Sequence, residues 1–265
     1  MDQNLKYLIK SRLIEILKIK EKILEMQKKM QEGDVSPFFL GLFGEKLSFT
    51  VKIGQSIQTT LGMSFYEQAI KAIGEFVGYK VETQKKLIGY IYPEVEDYLK
   101  ILDRLDYKPD RDAEIKKIRE ICKSNFIKTS PKLIEYPDST IDVYVTTPDG
   151  EEILIDVTTI KNNKKSFRAM KKTSLRWAAY RMSQDPDVNV QPYFAIPYNP
   201  ESKRVDGIIY ERFGNYYDRK DILVGDELWK KVSNKKCSIN DIIDIFNELG
   251  DEMNEEISAI FNTMS

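Results

Sequence analysis

STIDVYVTTPDGEEILIDVTTIK, residues 139–161, decides the fold of this chain. In it Ile141, Val143 and Val145 alternate with Asp142 and Tyr144, and Ile153, Ile155 and Val157 alternate with Asp156 and Thr158, the period of two that marks β-strands. Each strand is expected to hide an apolar face and present an acidic one. Between them Pro148-Asp149-Gly150 reads as a three-residue hairpin loop, with proline at the second position of a type I turn and glycine at the left-handed bulge position. That loop pairs Thr147 with Glu151, and counting back sets Asp142 opposite Asp156. A slip of one residue would send either side chain to the other face, so register decides whether the two carboxylates cooperate.

Two carboxylates a few ångströms apart repel unless a cation sits between them, and oxygen ligands of this kind suit Mg²⁺, with Mn²⁺ as a substitute. The plain alternative is an ordinary half-exposed hairpin whose polar face carries acids by chance.

Working outward, the charge is uneven although the net value is only -1. From Val157 to Arg181 there are eight basic residues (Lys161, Lys164, Lys165, Arg168, Lys171, Lys172, Arg176 and Arg181) and no acidic one, whereas from Asp221 onward ten acids face four lysines. A basic stretch beside a carboxylate pair suits a polyanionic substrate hydrolysed with metal help; taken alone, it is a solvated helix face. The chain contains no histidine, which excludes His-based zinc sites, Ser-His-Asp triads and histidine general bases. Cys122 and Cys237 give no disulfide framework, which fits a reducing, cytoplasmic setting, and with no run of 18 apolar residues neither secretion nor a membrane partner is expected.

The 265 residues, 42% hydrophobic and 31% charged, suffice for one substantial core or two modest domains. Leu5, Leu8, Ile9, Leu13, Ile16, Leu17, Ile23, Leu24 and Met30 predict a long helix over about 3–32, packed on the body or on a second subunit. Residues 37–50 read as a partly buried connection, 64–77 as a helix, 79–84 as a short strand, 95–105 and 113–123 as helices, 166–182 as the basic helix, and 190–196 as a buried strand. The order predicts an α/β fold with a central mixed sheet flanked by helices. Three regions are expected: 1–60, helical and connecting; 61–220, the core; and 221–265, small helices packed on that core. The abundance of Lys, Glu and Ile also hints at growth at high temperature.

These residues carry a resemblance to the PD-(D/E)XK nuclease superfamily, and more specifically to type II restriction endonucleases that cut sites with GG and CC separated by one unspecified base. The segments are GMSFYEQ at 62–68, TIDVYV at 140–145, IDVTTIKNNKKSFRAMKKTSLRWAAYR at 155–181, AIPYNP at 195–200 and ILVGDELW at 222–229. The resemblance implies a restriction-endonuclease-like fold that hydrolyses phosphodiesters in double-stranded DNA and leaves a 5′-phosphate. It implies Mg²⁺ held by Asp142, Asp156 and the Val157 carbonyl, with Glu67 as a third acid or else a surface helix glutamate. Asp138, in the Pro137-Asp138 pair, rivals Asp142. The motif lysine falls on Thr158, which brings no charge, so Lys161 or Lys164 replaces it or the protein binds DNA without cutting well. Lys164, Lys165, Arg168, Lys172 and Arg176 are expected at phosphates, and Asn199, Lys203 and Arg204 at bases or phosphates. Trp177 reads as core rather than as a stacking platform. A palindromic site implies a homodimer, and restriction physiology implies a companion DNA methyltransferase.

Overall fold

Leu5, Ile9, Leu13 and Leu17 recur every four residues on one stripe of the first helix, and all four are buried. Full burial of such side chains stabilises by about 1.5–3 kcal/mol each. The computed structural model describes residues 1–33, 36–88, 90–104, 106–126, 134–135, 140–158, 164–199 and 215–263. Helix α1 (Gln3–Leu17) is capped by Asp2, whose carboxylate accepts from the Asn4 and Leu5 amides. It runs into α2 (Ile19–Gln31) through left-handed Lys18, φ 46°, so the expected N-terminal helix is present with one break.

Residues 37–50, expected as a connection, are instead helical. They open α3 (Pro37–Thr60), where Pro37 supplies a pre-set first-turn φ and Gly44, non-helical at φ 69° and ψ 175°, makes a kink that joins two helical stretches. A π-helical segment, Leu61–Phe65, leads into α4 (Tyr66–Phe76), so Gly62 does not end the helical run.

Strands β1 (Lys80–Lys86) and β2 (Tyr90–Ile91) precede α5 (Pro93–Leu99), a short 3₁₀ turn at Lys100–Asp103, and α6 (Arg111–Phe126). Then come β3 (Ile134–Glu135), β4 (Thr140–Thr146), β5 (Glu152–Val157), α7 (Lys164–Gln184), β6 (Val190–Ile196), β7 (Ile222–Val224), α8 (Asp226–Val232) and α9 (Ile239–Thr263). The main sheet runs β1-β4-β5-β6-β7, antiparallel on the β1, β4, β5 side and parallel from β5 to β7, while β2 and β3 form a separate small pair. This is the mixed sheet flanked by helices that the sequence predicts.

The chain divides into two compact units, residues 1–72 with 236–265, and residues 73–235. Within the first, α1 packs on α9, whose Ile242, Ile245 and Leu249 are buried, and Phe65 meets Phe246 edge-on at 5.3 Å. Within the second, α5, α6 and α7 cover the sheet through a core that includes Tyr92, Val95, Ile118, Cys122, Leu154, Trp177 and Tyr180. Trp177 is core, as read from the sequence.

That core corrects one expectation. Tyr144 shares its strand face with Asp142, and Leu154 shares its face with Asp156, yet both are buried in the cluster beneath α7. The acidic face is therefore not an open one; it is covered except at the end of the hairpin where β4 begins and β5 finishes, at Asp142 and Asp156. Among the described residues, no helix is long and apolar enough to cross a membrane.

Candidate active site

The hairpin has the register its turn requires. Thr147 N–H donates to the Glu151 carbonyl at 3.0 Å, Gly150 sits at φ 84°, and the ladder pairs Val145 with Ile153 and Val143 with Ile155. Carried one residue further, this register sets Asp142 across from Asp156. The ladder itself stops at Val143↔Ile155, although β4 begins at Thr140 and β5 runs to Val157. Antiparallel alternation would next send the Val157 N–H to the Ile141 carbonyl. Instead it donates to Asp142 Oδ2 at 2.9 Å. The carboxylate thus replaces a rung of the sheet.

The other oxygen is held from the opposite side. In β1, the Gln84 Nε2 donates to Asp142 Oδ1 at 3.2 Å. Gln84 has φ 50° within a strand, a conformation costing roughly 1–3 kcal/mol for a residue with a β-carbon and found most often at functional sites. Sequence reading did not find this residue, because nothing in VETQKK marks a left-handed position.

Asp142, Asp156 and Val157 are each partly exposed. Two carboxylates and a backbone carbonyl form a hard-oxygen donor set, and Mg²⁺ takes one or two protein carboxylates while leaving its remaining positions to water or phosphate. The residues therefore fit Mg²⁺ as a two-acid site. Among the described residues, no group of three or more His, Cys, Asp and Glu converges. Thr158 continues the parallel ladder, its N–H donating to the Ala195 carbonyl at 3.0 Å.

Glu67 is in the first turn of α4, partly exposed, and belongs to the unit of residues 1–72. Asn199 follows β6, whose end is fixed by the Trp229 indole N–H donating to the Pro197 carbonyl at 2.9 Å. Asp138, Lys161, Lys203 and Arg204 lie outside the described residues, as do the side chains of Lys164 and Lys165.

The basic helix α7 is answered by acids that are remote in sequence. Lys172 donates to both Asp103 oxygens, at 3.0 and 2.8 Å, and Arg168 lies 3.3 Å from the same carboxylate. Lys172 first, then Arg168, hold the Asp103 carboxyl below its ordinary range. Arg176 grips Glu96 through two bonds at 2.5 and 2.7 Å, and Arg181 grips Glu152 through two at 2.6 and 2.7 Å.

Lys171 is different, being only 1% exposed. Its ammonium lies 2.6 Å from Glu114 Oε2 and 2.5 Å from Asp221 Oδ2, while Arg111 Nη1 reaches Asp221 Oδ1 at 3.1 Å. The Tyr107 hydroxyl donates to Glu114. Burial raises the Glu114 carboxyl despite Lys171. Beside this network, burial pushes the Tyr217 hydroxyl well above its usual range, with the charges of Asp156, Asp221 and Glu114 adding to the effect.

Comparison with known proteins follows the same lines. Residues 1–250 match the family model described as type II restriction endonuclease, HinfI. The type II restriction enzyme MjaII of Methanocaldococcus jannaschii is 27% identical over 221 residues, covering 78% of this chain and 56% of that protein. The type II restriction enzyme HgiCII of Herpetosiphon aurantiacus is 21% identical over 235 residues, covering 86% of this chain and 82% of that protein. The chain thus spans little more than half the length of the first relative.

Proposed function

This chain belongs to the HinfI family of type II restriction endonucleases, and from that membership we propose that it binds double-stranded DNA and hydrolyses it at a specific site with Mg²⁺. The observation that carries the reading is the end of the β4–β5 ladder, where the Val157 amide donates to the Asp142 carboxylate and the register, extended by one pair, would set Asp142 opposite Asp156. Asp142, Asp156 and the Val157 carbonyl would hold the ion, which supplies Lewis-acid charge at a phosphate oxygen and lowers the pKa of a water. Asp142 enters the site already oriented by two N–H donors, so its geometry is set before substrate arrives. Lys161, or else Lys164, steadies the attacking water in place of Thr158. Glu67 is the third acid to test. Cleavage leaves a 5′-phosphate.

Arg168 and Lys172 support phosphate binding because their bonds are to a half-exposed carboxylate, and exposed pairs are worth little enough for a phosphate to replace them. Lys164, Lys165 and Arg176 extend the same helix. Asn199, Lys203 and Arg204 are proposed as the base-reading set at the end of β6, with a GG/CC-containing palindrome as the first target to test. Such a target calls for a homodimer and a companion methyltransferase.

A second reading is favoured by Thr158: DNA binding without cutting, or with very slow cutting. It asks less of the residues, since it needs the basic helix but not the replacement lysine.

Plasmid DNA incubated with the purified chain and Mg²⁺ separates the two. Discrete fragments that vanish with a chelator and with Asp156→Asn support hydrolysis. A mobility shift with intact DNA supports the second reading, and neither shift nor fragments would sink both.

A further inference from the structure

Resting on the two-acid reading above, we propose that Gln84 is a positioning residue that holds Asp142 in the orientation a divalent cation needs. Three observations converge on it. Its Nε2 donates to Asp142 Oδ1 at 3.2 Å, opposite the Val157 amide at 2.9 Å on Oδ2. A carboxylate gripped on both oxygens from the two flanking strands cannot rotate without losing one donor, yet each oxygen keeps a further lone pair for a cation.

The second observation is the backbone. The β1–β4 register is the same on both sides of this point, with Thr83 opposite Val143 and Lys85 opposite Ile141, which sets Gln84 across from Asp142 at the position where the ladder between Lys80 and Lys86 is interrupted. It holds that place at φ 50°, although the register does not shift across it and so no inserted bulge residue accounts for the left-handed conformation. Strain kept at a point where the register itself does not change is retained for what the side chain does.

The third is chemistry. Both donors to Asp142 are neutral amides, which orient the carboxylate without cancelling its charge, and hydrogen bonds of this outer kind are what orient metal-binding carboxylates. A lysine at position 84 would orient the same oxygen but compete with the ion.

The test is titration of the full chain, without DNA, by Mn²⁺, followed through the loss of the free-ion paramagnetic resonance signal. Wild type, Gln84→Ala, Gln84→Gly and Asp156→Asn are compared, each with a urea melt. Both Gln84 variants should bind Mn²⁺ about ten- to a hundredfold more weakly. Gln84→Gly, which adopts this φ without strain, should nevertheless unfold at or above the wild-type midpoint. Should Gln84→Gly bind Mn²⁺ as tightly as wild type while Asp156→Asn has lost it, the positioning role is wrong and the two-acid site stands. Weakening that merely tracks a lost unfolding midpoint in both variants also overturns it. Absence of Mn²⁺ uptake by the wild type would remove the two-acid site together with the inference.

Discussion

The interior beneath α7 and the open end of the β4–β5 ladder place carboxylates in opposite company. Glu114 and Asp221 are buried, and each meets a cation of the same chain, Lys171 at 2.6 and 2.5 Å and Arg111 at 3.1 Å from Asp221. Asp142 is half-exposed and meets the N–H groups of Val157 and Gln84. Charges cancelled inside the fold specify how α6, α7 and the turn before β7 assemble. Carboxylates held in place by neutral donors keep their charge for something that arrives. The contrast teaches that acid content alone does not mark a site; the chemistry of the partners does.

The contrast is sharpest under substitution, and the largest loss of stability belongs to the buried side. Lys171→Met leaves Glu114 and Asp221 buried with less counter-charge and should cost about 3–5 kcal/mol in urea unfolding. A cost below about 1 kcal/mol would show that the network does not hold the core. Asp142→Asn should behave the other way, altering stability by less than about 1 kcal/mol because the new amide oxygen can still accept from the Val157 N–H and the exposed Gln84 can turn its own carbonyl toward the new NH₂, while cutting falls more than about a hundredfold. A large stability loss there would return Asp142 to a structural role.

Glu152 lies between these extremes. Its burial would raise its carboxyl, but hydrogen bonds from Arg181 and Tyr144 outweigh that and leave it below the ordinary value of 4.5. Because the folded-state value is depressed, the stabilisation is present above the unfolded-state value and is lost as pH falls through the folded one. Glu152→Gln should therefore cost about 1–2 kcal/mol at neutral pH, and its urea midpoint should converge with that of wild type in acid. Divergence on acidification would have the sign wrong. The smallest effect is expected at the surface, where Lys172→Ala should change stability by less than about 0.5 kcal/mol. If it touches phosphate, that variant should also reduce the slope of log affinity for DNA against log salt by about 1.

How legible each region was follows from how local its determinants are. The hairpin could be read because Pro148, Gly150 and a period of two act within a dozen residues, and the observed Val143↔Ile155 pairing agrees. The network could not, since Lys171 and Arg111 reach Asp221 across 50 and 110 positions, and a run without acids looks uncompensated until Glu96, Asp103 and Glu152 fold onto it. The covered acidic face did have a signal. Leu154 and Tyr144 share the parity of Asp156 and Asp142, so an apolar lid over that face was readable. The helical stretch at 37–60 was missed because Gly44 was weighed as ending helix altogether, when it breaks it at a single residue and the helix resumes beyond. Gln84 left no trace, because strain is a property of backbone geometry rather than of composition.

The most direct test of a cation bound between β4 and β5 is an anomalous difference map from a crystal of this chain soaked in Mn²⁺. A peak within bonding distance of both the Asp142 and Asp156 carboxylates is the predicted result. A well-ordered hairpin with those oxygens turned apart, and the anomalous signal elsewhere or nowhere, would contradict it.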